Sequence, residues 1–167
     1  MATTRKPALR ILGIDPGLVI TGYGAIDVTA RDVAVVEAGV IQTDPKAPMA
    51  ERLARLHGDL AGVLAELRPD LAAIEKLYAH YRHPRTAILM GHARGAILLA
   101  CATADVEVRD FPATMVKRAL TGNGHASKQQ VQRAVAVHCR LRDVPEPPDV
   151  ADALAIAVCA ARHVERH

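Results

Sequence analysis

Four carboxylates stand where their side chains could take part in chemistry. Asp15 and Glu75 each end a short apolar run, and Asp149 and Asp152 lie three residues apart after a proline-rich stretch. Residues at i and i+3 of a helix share one face. Four carboxylates gathered in one place would raise one another's pKa values unless divalent cations neutralised them. Oxygen-only ligands favour Mg²⁺ or Mn²⁺ over zinc.

Such a cluster would suit phosphodiester hydrolysis. Two ions about 4 Å apart can activate a water and stabilise the leaving 3′ oxygen, so no cysteine or histidine nucleophile is required. Each acid also has a plainer interpretation. Asp15 could bond its own turn, Glu75 could be the first solvated residue after a strand, and Asp149 and Asp152 could stabilise a helix N-terminus. The structural and chemical roles can coexist.

The hydrophobic pattern predicts the elements that position these acids. Apolar runs and turn residues indicate strands, and leucines at steps of three and four indicate a helix that ends at Pro69. The predicted strands are 9–15, 19–28, 33–43, 71–75 and 106–111, and the predicted helices are 49–68, 85–104, 112–121, 127–139 and 149–164. This order predicts an α/β fold with a mixed five-stranded sheet, three antiparallel strands and then parallel ones, flanked by helices. A right-handed crossover would place strand 71–75 beside the first strand, and so Glu75 near Asp15.

Length and composition predict one domain over residues 1–167. The chain is 50% hydrophobic, and one core is the default at this length. The basic N-terminus does not resemble a signal peptide, and the apolar run 95–104 is about half a membrane span. We therefore expect a soluble, cytoplasmic protein that does not act at a membrane. Cys101, Cys139 and Cys159 lie in apolar segments and are expected to be reduced core thiols.

The positive charge is concentrated in one part of the chain. Residues 76–142 hold 11 Lys and Arg against three acids, although the whole chain has a net charge of only +3. Such asymmetry indicates a face that binds a polyanion beside an acidic region, although a run of charge is often only a solvated surface.

The segment 76–85 beside Glu75 combines basic and aromatic side chains. Basic groups can pair with phosphates, and an aromatic ring can stack on an unstacked base. The residues of this segment that we predict to contact nucleic acid are Lys76, Tyr78, Arg82 and Arg85. Packing of Tyr78 on the core is the alternative.

Several short motifs occur in a fixed order along the chain. They are Gly13-Ile14-Asp15-Pro16-Gly17 with Thr21-Gly22-Tyr23-Gly24, Ala73-Ile74-Glu75-Lys76-Leu77-Tyr78, Gly91-His92-Ala93-Arg94-Gly95, Val116-Lys117 with Gly122-Asn123-Gly124, and Asp149-Val150-Ala151-Asp152-Ala153-Leu154-Ala155. Each is weak alone, but the ordered set is specific. Over about residues 10–163 the chain resembles the RuvC family of Holliday-junction resolvases.

This resemblance implies an RNase H-like fold and a structure-selective endodeoxyribonuclease that resolves Holliday junctions by paired symmetric nicks during recombination and repair. It makes Asp15, Glu75, Asp149 and Asp152 the catalytic ligands of two Mg²⁺ ions, for which Mn²⁺ could substitute. Tyr78 takes the position of the aromatic residue that probes the junction. Lys117 and Lys128 take positions that meet DNA phosphates, with Arg118 assisting.

The resemblance also implies partners. They are four-way junction DNA, a second copy of the chain in a homodimer whose interface includes helix 85–104, and the branch-migration proteins RuvA and RuvB. Three other functions stay open from the residues. They are an RNase H-like nuclease acting on structured RNA or RNA–DNA hybrids, an actin-like ATPase or sugar kinase, and a junction binder without catalysis. The second would need a repeated phosphate-binding motif and about twice this length, and the third would not need all four acids.

Overall fold

One mixed sheet forms the centre of the molecule. The computed structural model describes residues 8–30, 32–77 and 83–164. The strands are β1 (Leu9–Asp15), β2 (Ile20–Val28), β3 (Val33–Gln42), β4 (Leu71–Glu75) and β5 (Glu107–Phe111), in the sheet order β3-β2-β1-β4-β5. The first three pair antiparallel, and β1, β4 and β5 pair parallel. This is the predicted arrangement.

The helices follow the predicted order with small differences at their ends. They are α1 (Met49–Leu67), α2 (Pro84–Thr103), α3 (Ala113–Thr121), α4 (Lys128–His138) and α5 (Pro148–Val164). α1 is followed by its C-cap residue Arg68, which adopts a left-handed conformation with φ of 47° just before Pro69. α4 begins with the predicted capping box: the Gln130 amide donates to Ser127 Oγ, and the Ser127 amide donates to Gln130 Oε1.

Each face of the sheet carries its own group of helices. Successive side chains of a strand point to opposite faces, so Ile11 packs against α3, α4 and α5 while Leu12 packs against α1 and α2. The chain therefore forms three layers, and both faces of the two central strands are covered.

The three cysteines lie in the core. Cys101, Cys139 and Cys159 are buried and free, as predicted, and burial raises the pKa of each thiol to about 11.

α2 is the one helix in the described part of the chain that is long and apolar enough to cross a membrane. Four of its residues pack into the core on α1 and the sheet: Ala93, Ile97, Ala100 and Cys101. This packing explains part of its apolar character.

Candidate active site

Asp15 and Glu75 end the two central strands. β1 and β4 are parallel neighbours in which Ile14 lies opposite Ile74, so the next residue on each strand is an acid. The carboxyl ends of parallel strands meet at the same edge of a sheet. The predicted adjacency of the two acids is therefore present.

Strand parity directs both acids toward α5. Ile11 and Ala73 belong to the core under α5, and Leu12 and Ile74 belong to the core under α1 and α2. Because side chains alternate with a period of two, Asp15 shares the face of Ile11. Glu75 in the same way shares the face of Ala73, so both acids lie on the side of the sheet that α5 covers.

Glycines allow α5 to pack almost directly on the sheet backbone. A Cβ added at Gly22, which pairs with Asp15 in the β1–β2 ladder, would lie 2.1 Å from the Asp149 carbonyl oxygen. A Cβ added at Gly13 would lie 2.0 Å from the Ala153 carbonyl oxygen. The first turns of α5 can therefore rest on β1 and β2 only because these positions lack side chains. This contact holds Asp149 close to the end of β1.

The four acids interact electrostatically. Burial, and next the negative charges of Asp152, Glu75 and Asp149, raise the pKa of Asp15 to about 7. Burial and Asp152 also raise the pKa of Glu75, whereas Lys117 and Lys128 lower it. The two strand-end acids, Asp15 and Glu75, therefore ionise less readily than ordinary carboxylates because of burial and the charge of their neighbours.

Lys128 partly balances this negative charge. Its ammonium Nζ lies 3.0 Å from Asp152 Oδ2, although its side chain is 64% exposed. The hydrogen bond to Asp152 raises the pKa of Lys128, and the charges of Asp15 and Asp149 raise it further. The lysine is thus held by the acid cluster rather than free in solvent.

The donor set fits a hard divalent cation, but the carboxylates do not yet converge on one point. Among residues 8–30, 32–77 and 83–164, no three His, Cys, Asp or Glu side chains are close enough together to hold a metal ion as they stand. Asp152, one of the four acids, is paired with Lys128.

Two cavities open beside the acids. One, of about 270 Å³, has an apolar floor from α3, α4 and α5, and its charged lining residues are Glu75, Lys117, Lys128 and Asp152. The other, of about 150 Å³, lies between the ends of β1 and β4 and the side of α2, and Asp15, Glu75, Lys76 and Arg94 line it. Both cations and acids thus border the space where a phosphate would approach.

The predicted nucleic-acid residues fall into three groups. Lys117 and Lys128 border the larger cavity, and Lys76 borders the smaller one. Arg85, in the first turn of α2, and Arg118, in the last turn of α3, are exposed but line neither cavity. Tyr78 and Arg82 lie outside the described residues, and their roles stay predictions.

Two polar contacts at the site are not predicted from the sequence. Lys128, which the family resemblance places at a DNA phosphate, forms an ion pair with Asp152. Arg94, which lies in the motif 91–95, donates from Nη1 to the Glu75 carbonyl oxygen at 2.8 Å. No periodicity could have revealed either contact, because both join elements that are distant in sequence.

The raised pKa of Asp15 predicts that the metal-free protein loses stability as pH rises. In the unfolded chain the Asp15 carboxyl ionises near the ordinary aspartate pKa of 3.8, whereas the folded one keeps its proton until about pH 7. The folded state therefore binds more protons across that window, and the free energy of unfolding should fall from about pH 4 to pH 7. Asp15→Asn should reduce this decline and stabilise the metal-free protein at pH 8 by on the order of 2–4 kcal/mol.

Urea unfolding in EDTA at pH 4 and pH 8 measures this effect. Asp143→Asn, at an exposed aspartate, is the matched control and should leave the pH profile unchanged. Equal profiles for wild type and Asp15→Asn would contradict the raised pKa.

The mixed sheet has three antiparallel strands followed by two parallel ones. Carboxylates end its central strands, and two more acids lie on the helix packed across them. This combination defines an RNase H-like nuclease. The family model for "Crossover junction endodeoxyribonuclease RuvC" matches residues 11–160. The chain belongs to the RuvC family.

Individual relatives agree with this assignment. The crossover junction endodeoxyribonuclease RuvC of Rhodopirellula baltica is 51% identical over 149 residues, which cover 89% of this chain and 84% of the relative. The structure of Thermus thermophilus RuvC superposes with a TM-score of 0.88 at 35% identity, covering 95% of this chain and 96% of that one. The same Thermus protein in complex with a Holliday junction substrate gives a TM-score of 0.87 at 32% identity with the same coverage.

Proposed function

We propose that this protein is a structure-selective endodeoxyribonuclease, acting as a single nuclease domain, that resolves Holliday junctions by paired symmetric nicks in homologous recombination and DNA repair. The observation that carries the proposal is the coupled set of four carboxylates at the ends of β1 and β4 and the start of α5, in a chain that belongs to the RuvC family. We further propose that it works in the cytoplasm and receives junctions from the partner proteins RuvA and RuvB.

Nucleases of this family are metal-dependent, and the donor set favours Mg²⁺, with Mn²⁺ as a substitute. Asp15, Glu75, Asp149 and Asp152 are the residues that would hold two ions. Bound ions would supply activation of a water and stabilisation of the leaving 3′ oxygen. Lys117 and Lys128 attract a DNA phosphate toward the acids. The packing of α5 on Gly22 holds the acids of α5 beside the acids that end β1 and β4.

The defining experiment is cleavage of a synthetic immobile four-way junction with and without Mg²⁺ or Mn²⁺. We expect two nicks at symmetry-related positions, 5′ phosphates and 3′ hydroxyls, products that a ligase seals, and no covalent enzyme–DNA intermediate. Excess linear duplex should compete poorly. Equal or faster cleavage of an RNA–DNA hybrid or a structured RNA would instead favour the alternative RNase H-like function.

Lys117 and Lys128 should each contribute one phosphate contact. Lys117→Ala and Lys128→Ala should weaken junction binding and lower the slope of log K against log salt by about 1 each, because each contact releases counterions. Lys46→Ala, at an exposed loop lysine, is the matched control. An unchanged slope in both site variants, measured by fluorescence anisotropy in EDTA, would place these lysines off the DNA.

The exposed face of α2 supports a homodimer. Ile88 and Leu99 are each 60% exposed, and Leu99 lines a groove of about 560 Å³ between α2 and α1. A second copy that covered the groove would bury Leu99. It would also give two equivalent acid clusters for the two equivalent strands of a junction.

Mixed dimers test the pairing of sites. Dimers of one wild-type and one Asp15→Asn chain should nick one strand and rarely resolve the junction within one binding event, because each cluster serves one strand. Tagged chains co-purified as mixed dimers and assayed on a supercoiled cruciform plasmid would show nicked rather than linear product. Linear product at the wild-type rate, or a monomeric active species, would overturn the paired-site mechanism.

A further inference from the structure

Arg94 connects α2 to the end of β4. Its side chain is only 13% exposed. One guanidinium nitrogen, Nη1, donates to the Glu75 carbonyl oxygen at 2.8 Å, and the other, Nη2, forms an ion pair with Asp110 of β5. One planar group therefore joins a helix to the last residue of β4 and the last but one of β5.

The position of these contacts matters because Glu75 is the last residue of its strand. Past Glu75 the pairing of β4 with β5 continues through the Lys76 amide, which donates to the Phe111 carbonyl oxygen at 2.9 Å. Arg94 provides a donor for the Glu75 carbonyl oxygen at the same strand end. Hydrogen bonds from a charged donor are stronger than neutral ones and fix geometry when the donor is a rigid fork.

The hydrogen bond from Arg94 ends on the main chain of Glu75. Arg94 lines the smaller cavity together with Asp15, Pro16 and Glu75. Lys117 and Lys128 line the larger cavity, on the side of α3 and α4. The contact of Arg94 therefore bears on where the Glu75 backbone lies.

We propose that Arg94 is a positioning residue: it fixes the backbone of Glu75, and thereby places the Glu75 carboxylate for cation binding. Through the same contact it connects Glu75 to α2, whose outer face is exposed. The inference rests on the proposed function, in which Glu75 is a metal ligand. Loss of Arg94 should leave the strand end free to shift, and carboxylates that must converge on one cation tolerate only small shifts.

The test compares Arg94→Met and Arg94→Lys with wild type and with Arg109→Met. Arg109 is the matched control because it is an arginine on β5 that pairs with an acid, Glu107, on the exposed surface. Binding of Mn²⁺ alone is measured by calorimetry without DNA, junction affinity by anisotropy in EDTA, and cleavage over a series of Mn²⁺ concentrations.

Arg94→Met should weaken Mn²⁺ binding about 10-fold, as loss of a residue that orients a ligand does. Cleavage should fall at low Mn²⁺ and recover partly at high Mn²⁺, while junction affinity stays within about twofold because the site lysines are untouched. Arg94→Lys keeps one donor and should be intermediate, and Arg109→Met should match wild type.

Unchanged Mn²⁺ affinity in folded Arg94→Met, or an equal loss in Arg109→Met, would overturn the inference. If Arg94→Met fails to fold, Arg94→Lys decides, and wild-type Mn²⁺ affinity in that variant would overturn it as well. Failure of the proposed function has a different signature, since wild type itself would then neither bind Mn²⁺ at this site nor cut junctions.

Discussion

Asp15→Asn should abolish junction cleavage while leaving junction binding intact or improved. The change removes the carboxylate that we propose as a metal ligand at the end of β1, where Asp15 is buried near the charges of Asp152, Glu75 and Asp149. A divalent site contributes several kcal/mol of transition-state stabilisation, so the cleavage rate should fall by about a thousandfold or more. The isosteric amide also removes a negative charge near the DNA phosphates, which is why binding should not suffer.

Single-turnover cleavage in Mg²⁺ and anisotropy in EDTA separate the two effects. Asp143→Asn, the same chemical change at an exposed position, should behave as wild type in both. Parallel loss of binding and cleavage, with altered circular dichroism, would indicate misfolding and contradict a role as ligand. Retained cleavage would remove Asp15 from the site.

Gly22→Ala should damage both the fold and the reaction, although Gly22 carries no chemistry. Its Cβ would lie 2.1 Å from the Asp149 carbonyl oxygen and 3.0 Å from Asp149 Cβ. The obstacle is backbone that cannot rotate away, so α5 must move off the sheet. Overpacking of this kind typically costs about 1–3 kcal/mol. Cleavage should fall more than junction binding, because Asp149 and Asp152 move with the helix while the lysines of α3 and α4 remain.

Gly58→Ala is the matched control, and its effect should have the opposite sign. Gly58 is an exposed position inside α1, and an added Cβ there meets nothing within 4 Å. Alanine is favoured over glycine in a helix by up to about 1 kcal/mol, so this variant should unfold at a higher urea concentration with unchanged cleavage. A Gly22→Ala variant as stable and active as wild type would mean that α5 does not depend on this close contact.

Much of the fold followed from local pattern. The leucine spacing of α1, the capping box of α4 and the apolar runs of β1 and β4 each report a local preference, and the structure confirms all of them. Differences are confined to element ends, where β2 begins at Ile20 rather than residue 19 and β5 at Glu107 rather than residue 106. Strand ends depend on neighbouring strands, so local pattern determines them least well.

The candidate site was predictable in part, because parallel strands bring their carboxyl ends together. That rule was enough to place Asp15 beside Glu75. The approach of Asp149 to the same point could not be derived in this way, since it depends on how α5 crosses the sheet. The resemblance to a known family supplied that placement, and the glycine contacts provide its physical basis.

The order of the elements, the acids at the strand ends and the basic segment beside them can all be read from the sequence, because each depends on residues that are close along the chain. Three features depend on the folded chain: Lys128 pairs with Asp152, Arg94 donates to the Glu75 carbonyl oxygen, and Gly13 and Gly22 leave room for α5. These contacts join residues from 19 to more than 100 positions apart. Side-chain reach and backbone clearance at such separations exist only once the sheet and helices have packed.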